Sequence, residues 1–306
     1  MLSFVLSRLI SAAIVVAGVV TIVFALIHLT PGDPVEVMLG ESASTADRQA
    51  LRRQLGLDRP LAEQLGHYYL RLARGDLGTS LHSGRDIQAI LAERVPYTAA
   101  LAGASLALAI FMALPLGALA ATNRGRVWDG AAMTFAVLGL SLPNIWLGPM
   151  LILVFSFQLG WFPVSGTGGA LAIVLPALTL GTALAAILAR MVRATLLETL
   201  GAAYVTTARA KGLSRLAVVS RHAGRNAALP VLTVIGLQLG ALLGGAVVTE
   251  IVFAWPGLGQ LLVESIQRRD YPVVQAVVLL VSVVYVAVNT AVDLMYAWLD
   301  PRIRLT

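Results

Sequence analysis

Five stretches of the chain carry no charged side chain: residues 9–32 (24 residues), 95–123 (29), 130–189 (60), 226–249 (24) and 271–292 (22). About 20 apolar residues, each rising 1.5 Å along a helix, cross a hydrocarbon core about 30 Å thick. Each run can hold one span and the 60-residue run two, which predicts six transmembrane helices in an all-α membrane protein. The segment between the first two runs is different. Residues 30–96 hold eight Arg against nine Asp and Glu, too much charge for lipid. Leucines 51, 55, 61, 65 and 72 with Ile87, Ile90 and Leu91 recur near helical spacing there, and Asp58-Arg59-Pro60 interrupts them, so the segment reads as short amphipathic helices. Two readings fit it: a scaffold lying on the outer face, or a surface that docks an external partner.

Composition agrees with the pattern. Of the 306 residues, 58% are hydrophobic and only 12% charged, where a soluble domain carries about 25% charged residues. Arg8 before an apolar stretch invites comparison with a cleavable signal peptide, whose apolar core is about 7 to 15 residues long. Residues 9–29 are longer and run into Thr30-Pro31-Gly32-Asp33-Pro34, so they read as an uncleaved first helix.

The charges set an orientation. With the N-terminus in the cytoplasm, twelve basic residues, Arg8, Arg124, Arg126, those from Arg190 to Arg225, Arg302 and Arg304, share one side with only Asp129, Glu198 and Asp300. Short basic loops stay inside while long loops cross largely regardless of charge, so both termini are expected in the cytoplasm and residues 31–96 outside. The net charge of +6 is explained by this bias, and a nucleic-acid partner is set aside; membrane lipid is the partner that composition itself implies.

Several chemistries drop out. No cysteine is present, so there is no thiolate nucleophile, disulfide or Cys-ligated metal. Lys211 is the only lysine and Ala210 precedes it, so no Gly-Lys-Ser/Thr phosphate loop exists and the chain is not an ATPase. Histidines 28, 67, 82 and 222 show no metal-ligand spacing, and no catalytic set is assigned. Ion-coupled carriers keep ionisable groups at mid-membrane. Here His28, Glu250 and Asp293 lie toward the ends of spans, which points to a passage without its own energy source and disfavours a stand-alone carrier or channel.

Within the spans, Pro115, Pro143, Pro149 and Pro176 free backbone groups that must find partners, and Gly236, Gly240 and Gly244 have the spacing that lets helices approach closely. Ser141, Asn144, Thr182, Gln238 and Asn289 are polar positions open to two readings, lining a passage or hydrogen bonding between helices. The longest inside loop, residues 193–228, is basic. Gly212 reads as a helix stop and Ser214 as an N-cap, giving two short helices around a sharp turn, the second with Leu216, Val219 and Ala223 on one face and Arg215 and Arg221 elsewhere. Such a helix suits a partner's groove or an anionic lipid surface.

Several short motifs run through the chain in order: Leu29-Thr30-Pro31-Gly32-Asp33-Pro34, Gln54-Leu55-Gly56-Leu57-Asp58, Gly75-Asp76-Leu77-Gly78 and Ala208-Arg209-Ala210-Lys211-Gly212-Leu213-Ser214. They continue through Arg221-His222, Arg225-Asn226-Ala227, Phe253-Ala254-Trp255-Pro256-Gly257-Leu258-Gly259, Arg269-Asp270-Tyr271-Pro272 and Asp300-Pro301-Arg302-Ile303-Arg304. By these motifs the chain resembles the inner-membrane permease subunits of bacterial ABC importers of the dipeptide/oligopeptide/nickel group. The resemblance implies the type I importer permease fold: a first helix within residues 1–30, an extracytoplasmic helical segment over 31–96, and a five-helix core over 97–306.

It also implies that the 193–228 loop couples to an ATPase through Tyr204, Thr206, Thr207, Ala208, Arg209, Ala210, Lys211, Gly212, Leu213, Ser214, Arg215, Leu216, Val219, Arg221 and His222. The general family pattern there is Glu-Ala-Ala, three residues, then Gly, of which only Ala208 and Gly212 match. By the same resemblance Trp255, Pro256, Gly257, Leu258 and Gly259 face an extracytoplasmic substrate-binding protein. The implied partners are that protein, a second homologous permease and two ATPase subunits; ATP and Mg sit on the ATPases, with no cofactor on this chain. Expected cargoes are dipeptides and oligopeptides, with glutathione and nickel complexes as alternatives.

Overall fold

A computed structural model describes residues 2–29, 44–54, 57–214 and 217–299, with Val35. Thr30 to Pro34, Leu55, Gly56, Arg215, Leu216 and the Asp300–Arg304 motif lie outside the described residues, as do the side chains of His28, Arg209, His222 and Arg225. The described residues are helical with no strand, apart from an isolated bridge between Thr79 and Asp86. In order the helices are α1 (Leu2–Leu29), α2 (Thr45–Gln54), α3 (Leu61–Ala73), α4 (Ile87–Thr122), α5 (Val127–Ser141), α6 (Asn144–Leu151), α7 (Val174–Leu200), α8 (Ala203–Ala210), α9 (Gly224–Val252), α10 (Leu258–Gln267) and α11 (Tyr271–Leu299). Wider π turns follow α6 over Ile152–Gln158 and precede α9 over Val218–Ala223.

These helices coincide with the charge-free runs. By length and composition α1 (over Leu6–Ala25), α4, Ala170–Leu200 and α11 (over Tyr271–Met295) can each cross a membrane, and α5 with α6 makes a fifth span if the bent pair is one. α9 covers the remaining run over 29 residues. Large apolar side chains such as Ile14, Phe111, Phe135, Ile145 and Phe157 are exposed on these helices, a surface suited to hydrocarbon.

The chain divides into two compact units, Met1–Pro96 with Gly257–Thr290, and Tyr97–Pro256 with Ala291–Thr306. In the first, Val20 of α1, Tyr68 of α3 and Leu279 of α11 form a buried cluster. Phe24 and Tyr68 stack at 5.9 Å between ring centroids. The Tyr69 hydroxyl donates to the Ala17 carbonyl (2.7 Å) and lies 2.8 Å from Thr21 Oγ1. Burial pushes the Tyr68 phenol up to about 12. The leucine pattern located α3 but not its anchor: Leu61 is exposed, and the helix buries Tyr68 with Leu72 packed beside it.

A second cluster joins Ile87, Ile90 and Leu91 to Leu258, Leu261, Val273, Ala276 and Val277. Beside it, Gly75 and Gly78 take positive φ and fold Thr79–Asp86 into a small hairpin. The buried Asp270 carboxylate holds its tip, accepting hydrogen bonds from Ser80 Oγ, the Leu81 amide (3.1 Å) and the His82 amide (3.4 Å).

The second unit is built around α7. Of its most apolar stretch 61% is buried, against 11 to 28% for the other long single spans, so α7 is the central helix and the others keep faces for lipid. Close approach is achieved by omitting side chains. A Cβ on Gly117 of α4 would lie 2.6 Å from Val192 Cβ and 2.7 Å from the Ala189 carbonyl oxygen, and one on Gly181 of α7 would lie 2.8 Å from the Ser105 carbonyl oxygen. Gly236 of α9 is crowded in the same way by Val292, whereas Gly244 meets nothing within 4 Å.

Pro143 does not sit inside a straight span. Proline disfavours helical geometry in the residue before it, Leu142 is extended at φ −85° and ψ 117°, and α5 and α6 meet at 103°.

Replacing Gly117 by Ala should destabilise the detergent-solubilised protein by about 1–3 kcal/mol, read as a lowered Tm, because one neighbour is backbone and cannot rotate away. Asp270→Ala should cost about 1–3 kcal/mol by orphaning its buried donors, and protease should then cut the Thr79–Asp86 hairpin faster than in the parent protein.

Candidate functional site

The basic loop between α7 and α9 is a helix, a turn and a second helical segment. After Leu200 the chain reverses through Gly201, whose amide donates to the Glu198 carbonyl (3.2 Å), and enters α8. Val205 and Ala208, one turn apart, are buried with Val218, and Leu200 packs against them. Tyr204, Thr206, Thr207 and Ala210 face outward. The helix stops as its residue types dictate: Gly212 takes φ +82°, and the Leu213 amide donates back to the Ala208 carbonyl (3.4 Å), satisfying an end-of-helix carbonyl. Ser214 then caps the next segment, its Oγ accepting from the Ala217 amide (3.3 Å). Lys211, Gly212, Leu213 and Ser214 form an exposed turn, with Arg221 exposed beyond it.

The second segment departs from the 3.6-residue wheel. Val218–Ala223 is wound as a π turn, closed by the Gly224 amide donating to the Val219 carbonyl. A Cβ at Gly224 would lie 2.9 Å from that oxygen, so this glycine permits the wide turn. The rewinding buries Val218 and Ala223, five residues apart, and leaves Val219 half-buried; Leu216, placed by the wheel on the same face, is outside the described residues. Asn226 Nδ2 donates to the Tyr204 hydroxyl (2.7 Å) and ties α8 to the start of α9.

Just above the loop, Arg193 of α7 grips Asp129 of α5 with two parallel bonds, Nε to Oδ1 (2.6 Å) and Nη2 to Oδ2 (2.8 Å). Asp129 Oδ2 also accepts from the Gly125 amide (3.0 Å). The sequence reading missed this pair. Its one signal was an acidic residue, Asp129, in a short loop otherwise basic at Arg124 and Arg126.

At the far end of α9 the Phe253–Gly259 motif is an inward-folded corner. Ala254 takes φ +47°, the Trp255 amide donates to the Glu250 carbonyl (2.8 Å), and Trp255 Nε1 donates to the Tyr97 carbonyl (2.9 Å). The Tyr97 and Trp255 rings meet edge to face at 6.0 Å. Glu250 is fully buried and accepts from Thr98 Oγ1 (2.7 Å). Trp255 and Leu258 are buried, as are Gly257 and Gly259, and Pro256 is half-buried.

The five polar span positions separate. Ser141 and Asn144 flank the α5–α6 break; Ser141 is exposed and its hydroxyl donates to the Val137 carbonyl (2.9 Å), while Asn144 is half-buried. Thr182 lies at the adjacent crossing, its carbonyl oxygen 3.5 Å from where a Cβ on Gly139 would stand, and its hydroxyl donates to the Thr179 carbonyl (3.2 Å). Gln238 and Asn289 are half-buried on α9 and α11, in different compact units. Among the described residues no group of three His, Cys, Asp or Glu could hold a metal ion.

Comparison with known proteins places this architecture. The family profile described as "Binding-protein-dependent transport system inner membrane component" matches residues 113–305, and the profile for the N-terminal part of such membrane components matches residues 1–102. The glutathione transport system permease protein GsiC of Escherichia coli O6:H1 is 44% identical over 304 residues, 99% of each chain, and GsiC of Pectobacterium atrosepticum is equally similar. Among solved structures, an inward-facing MetNI methionine ABC transporter chain aligns with a TM-score of 0.57 at 23% identity, over 70% of this chain and 97% of its own. A chain of an amino acid ABC transporter with histidines aligns at 0.54 and 13%, over 68% and 93%. At such identities these two speak for the fold alone. This chain belongs to the family of binding-protein-dependent transport system inner membrane components, and is a multi-pass protein of the bacterial inner membrane.

Proposed function

We propose that this chain is one of two permease subunits of an ATP-driven importer of short peptides, glutathione among them, and forms half of a pathway worked by alternating access. The observation that carries the reading is the exposed Lys211–Ser214 turn between two short helices, held on an apolar base of Leu200, Val205, Ala208 and Val218. An outward-facing turn, fixed by a glycine stop and a serine cap and joined to the central helix α7 through α8, is what a motor subunit can grip and move. In this reading α8 and the turn form the coupling helix for one of two ATPase subunits, which bind the ATP and Mg.

Six spans follow when α5 with α6 counts as one bent span and α9 as another, with both termini in the cytoplasm and the hairpin and α3 outside, facing a substrate-binding protein. The buried Phe253–Gly259 corner sets the shape of its own outer loop, and its neighbours supply the exposed contact surface. The passage itself includes the α5–α6 break, where Ser141 and Asn144 stand. Coupling requires that the ATPases bind nucleotide with different affinity in the inward and outward states, and linkage makes the effect reciprocal.

The cargo class is supported by the 44% identity to a glutathione permease across nearly the whole chain, glutathione being itself a tripeptide. Dipeptides and longer peptides offer the same backbone groups to a pathway. Nickel complexes share the scaffold in the family this chain resembles but have no such support here.

Gly212→Val forces a branched side chain into φ +82°, which costs about 1–2 kcal/mol and should unseat the turn; the chain should still reach the membrane but recover at least about fivefold less ATPase subunit in pull-down. Undiminished recovery would count against the coupling role. Proteoliposomes holding the assembled complex should take up radiolabelled glutathione when ATP is supplied to the ATPase side and lose that uptake to excess tripeptide. Accumulation by this chain alone under an ion gradient would overturn the reading.

A further inference from the structure

The interface between α5 and α7 combines two kinds of contact. Along most of its length it is small and apolar: Gly139 faces the Thr182 carbonyl, and Ala136 is buried in one core with Ala185 and Ala189. Apolar contact is non-directional, so such a surface resists separation far better than it resists sliding. At the end nearest the basic loop the character changes. Asp129 is buried, and both of its oxygens are engaged by the Arg193 guanidinium in a fork that fixes distance, angle and register together. The same carboxylate holds the Gly125 amide, so the turn leading into α5 is fastened to α7 by one side chain.

The position of the fork matters. Arg193 lies seven residues before Leu200, two helical turns or about 10.5 Å along α7, on the face that reaches the apolar base of the loop. In the other direction α5 runs from Asp129 to the 103° bend at Leu142–Pro143. The buried Asp129 and the half-buried Arg193 thus make a directional contact between the helix that carries the loop and the helix that carries the bend.

We propose that Asp129 and Arg193 are positioning residues that make α7 and α5 move as one body, so that displacement of the basic loop reaches the α5–α6 bend instead of being lost as sliding between helices. The proposal rests on the importer reading above, in which an ATPase displaces the loop.

The chain has no cysteine, so Ser141→Cys at the bend is its single thiol, and labelling is read on this chain after the subunits are separated by denaturing gel. The experiment measures its reaction rate with a membrane-impermeant maleimide in the assembled complex, nucleotide-free and with ATP trapped by vanadate. It is run on the parent and on added D129N, R193K and the exchange D129R/R193D. R193K keeps the charge but cannot form the fork.

The parent should show a nucleotide-dependent change in rate of about threefold or more. D129N and R193K should trap ATP normally yet show a ratio near one, and the exchange should restore most of the parent's ratio. A parent-like ratio in either single variant, an exchange no better than the singles, or failure of both singles to assemble would overturn the proposal. So would a parent that traps ATP without a change at Ser141→Cys, although the importer reading would stand. A parent that recovers no ATPase subunit would overturn that reading and this proposal together.

Discussion

A backbone carbonyl in hydrocarbon has no water to bond, so every spanning segment must close its hydrogen bonds on itself or against a neighbour. That requirement makes the chain helical, and it leaves the fold with a packing problem of its own. Lipid is as apolar as leucine, so helices gain little by hiding greasy surface from it and must instead fit one another closely. α7 meets this by surrounding itself with absences. Gly117 brings α4 onto Ala189 and Val192, and Gly181 brings α7 onto the carbonyl of Ser105. The central helix therefore lies backbone to backbone against its neighbour, and whatever moves it moves with little slack.

Polar contacts appear where this packing ends. Asp129 with Arg193, Glu250 with Thr98 and Asp270 with the hairpin tip are each a buried carboxylate at or near a helix terminus. Asp129 and Asp270 each set a turn, and Glu250 ties the end of α9 to α4. Carboxylates hold the Gly125 turn and the Thr79–Asp86 hairpin, whereas the basic turn of the α7–α9 loop rests on four apolar residues and two capping devices. That makes it firm in shape and open on its outer face.

Much of this was legible in the residues. Charge-free runs located the long helices because a charge in lipid is costly enough to be kept at the ends. Gly212 and Ser214 announced the turn because few other residues end and restart a helix so abruptly. What stayed hidden depended on geometry that a fixed period cannot express. The wheel put Val219 with Ala223, but the π turn replaced a 3.6-residue repeat by a wider one and buried Val218. Pro143 was legible as a proline within a charge-free run, but not the 103° bend it makes there. The burial of Trp255 and Leu258 is set by tertiary packing that their local motif does not express. The Asp129–Arg193 fork joins residues 64 apart that no local pattern relates.

The wide turn ahead of α9 has one more consequence. A π turn is an α-helix with one residue inserted, and each residue turns a helix by about 100°. Gly224, by admitting that extra residue, fixes the azimuth of the 29-residue helix that it begins. Removing a single residue upstream would swing Gly236 away from Val292 and present a bulkier neighbour in its stead. The distance between the α7–α9 loop and the first residue of α9 is thus a dial setting, and chain length there is under tighter constraint than the identity of most of the side chains it carries.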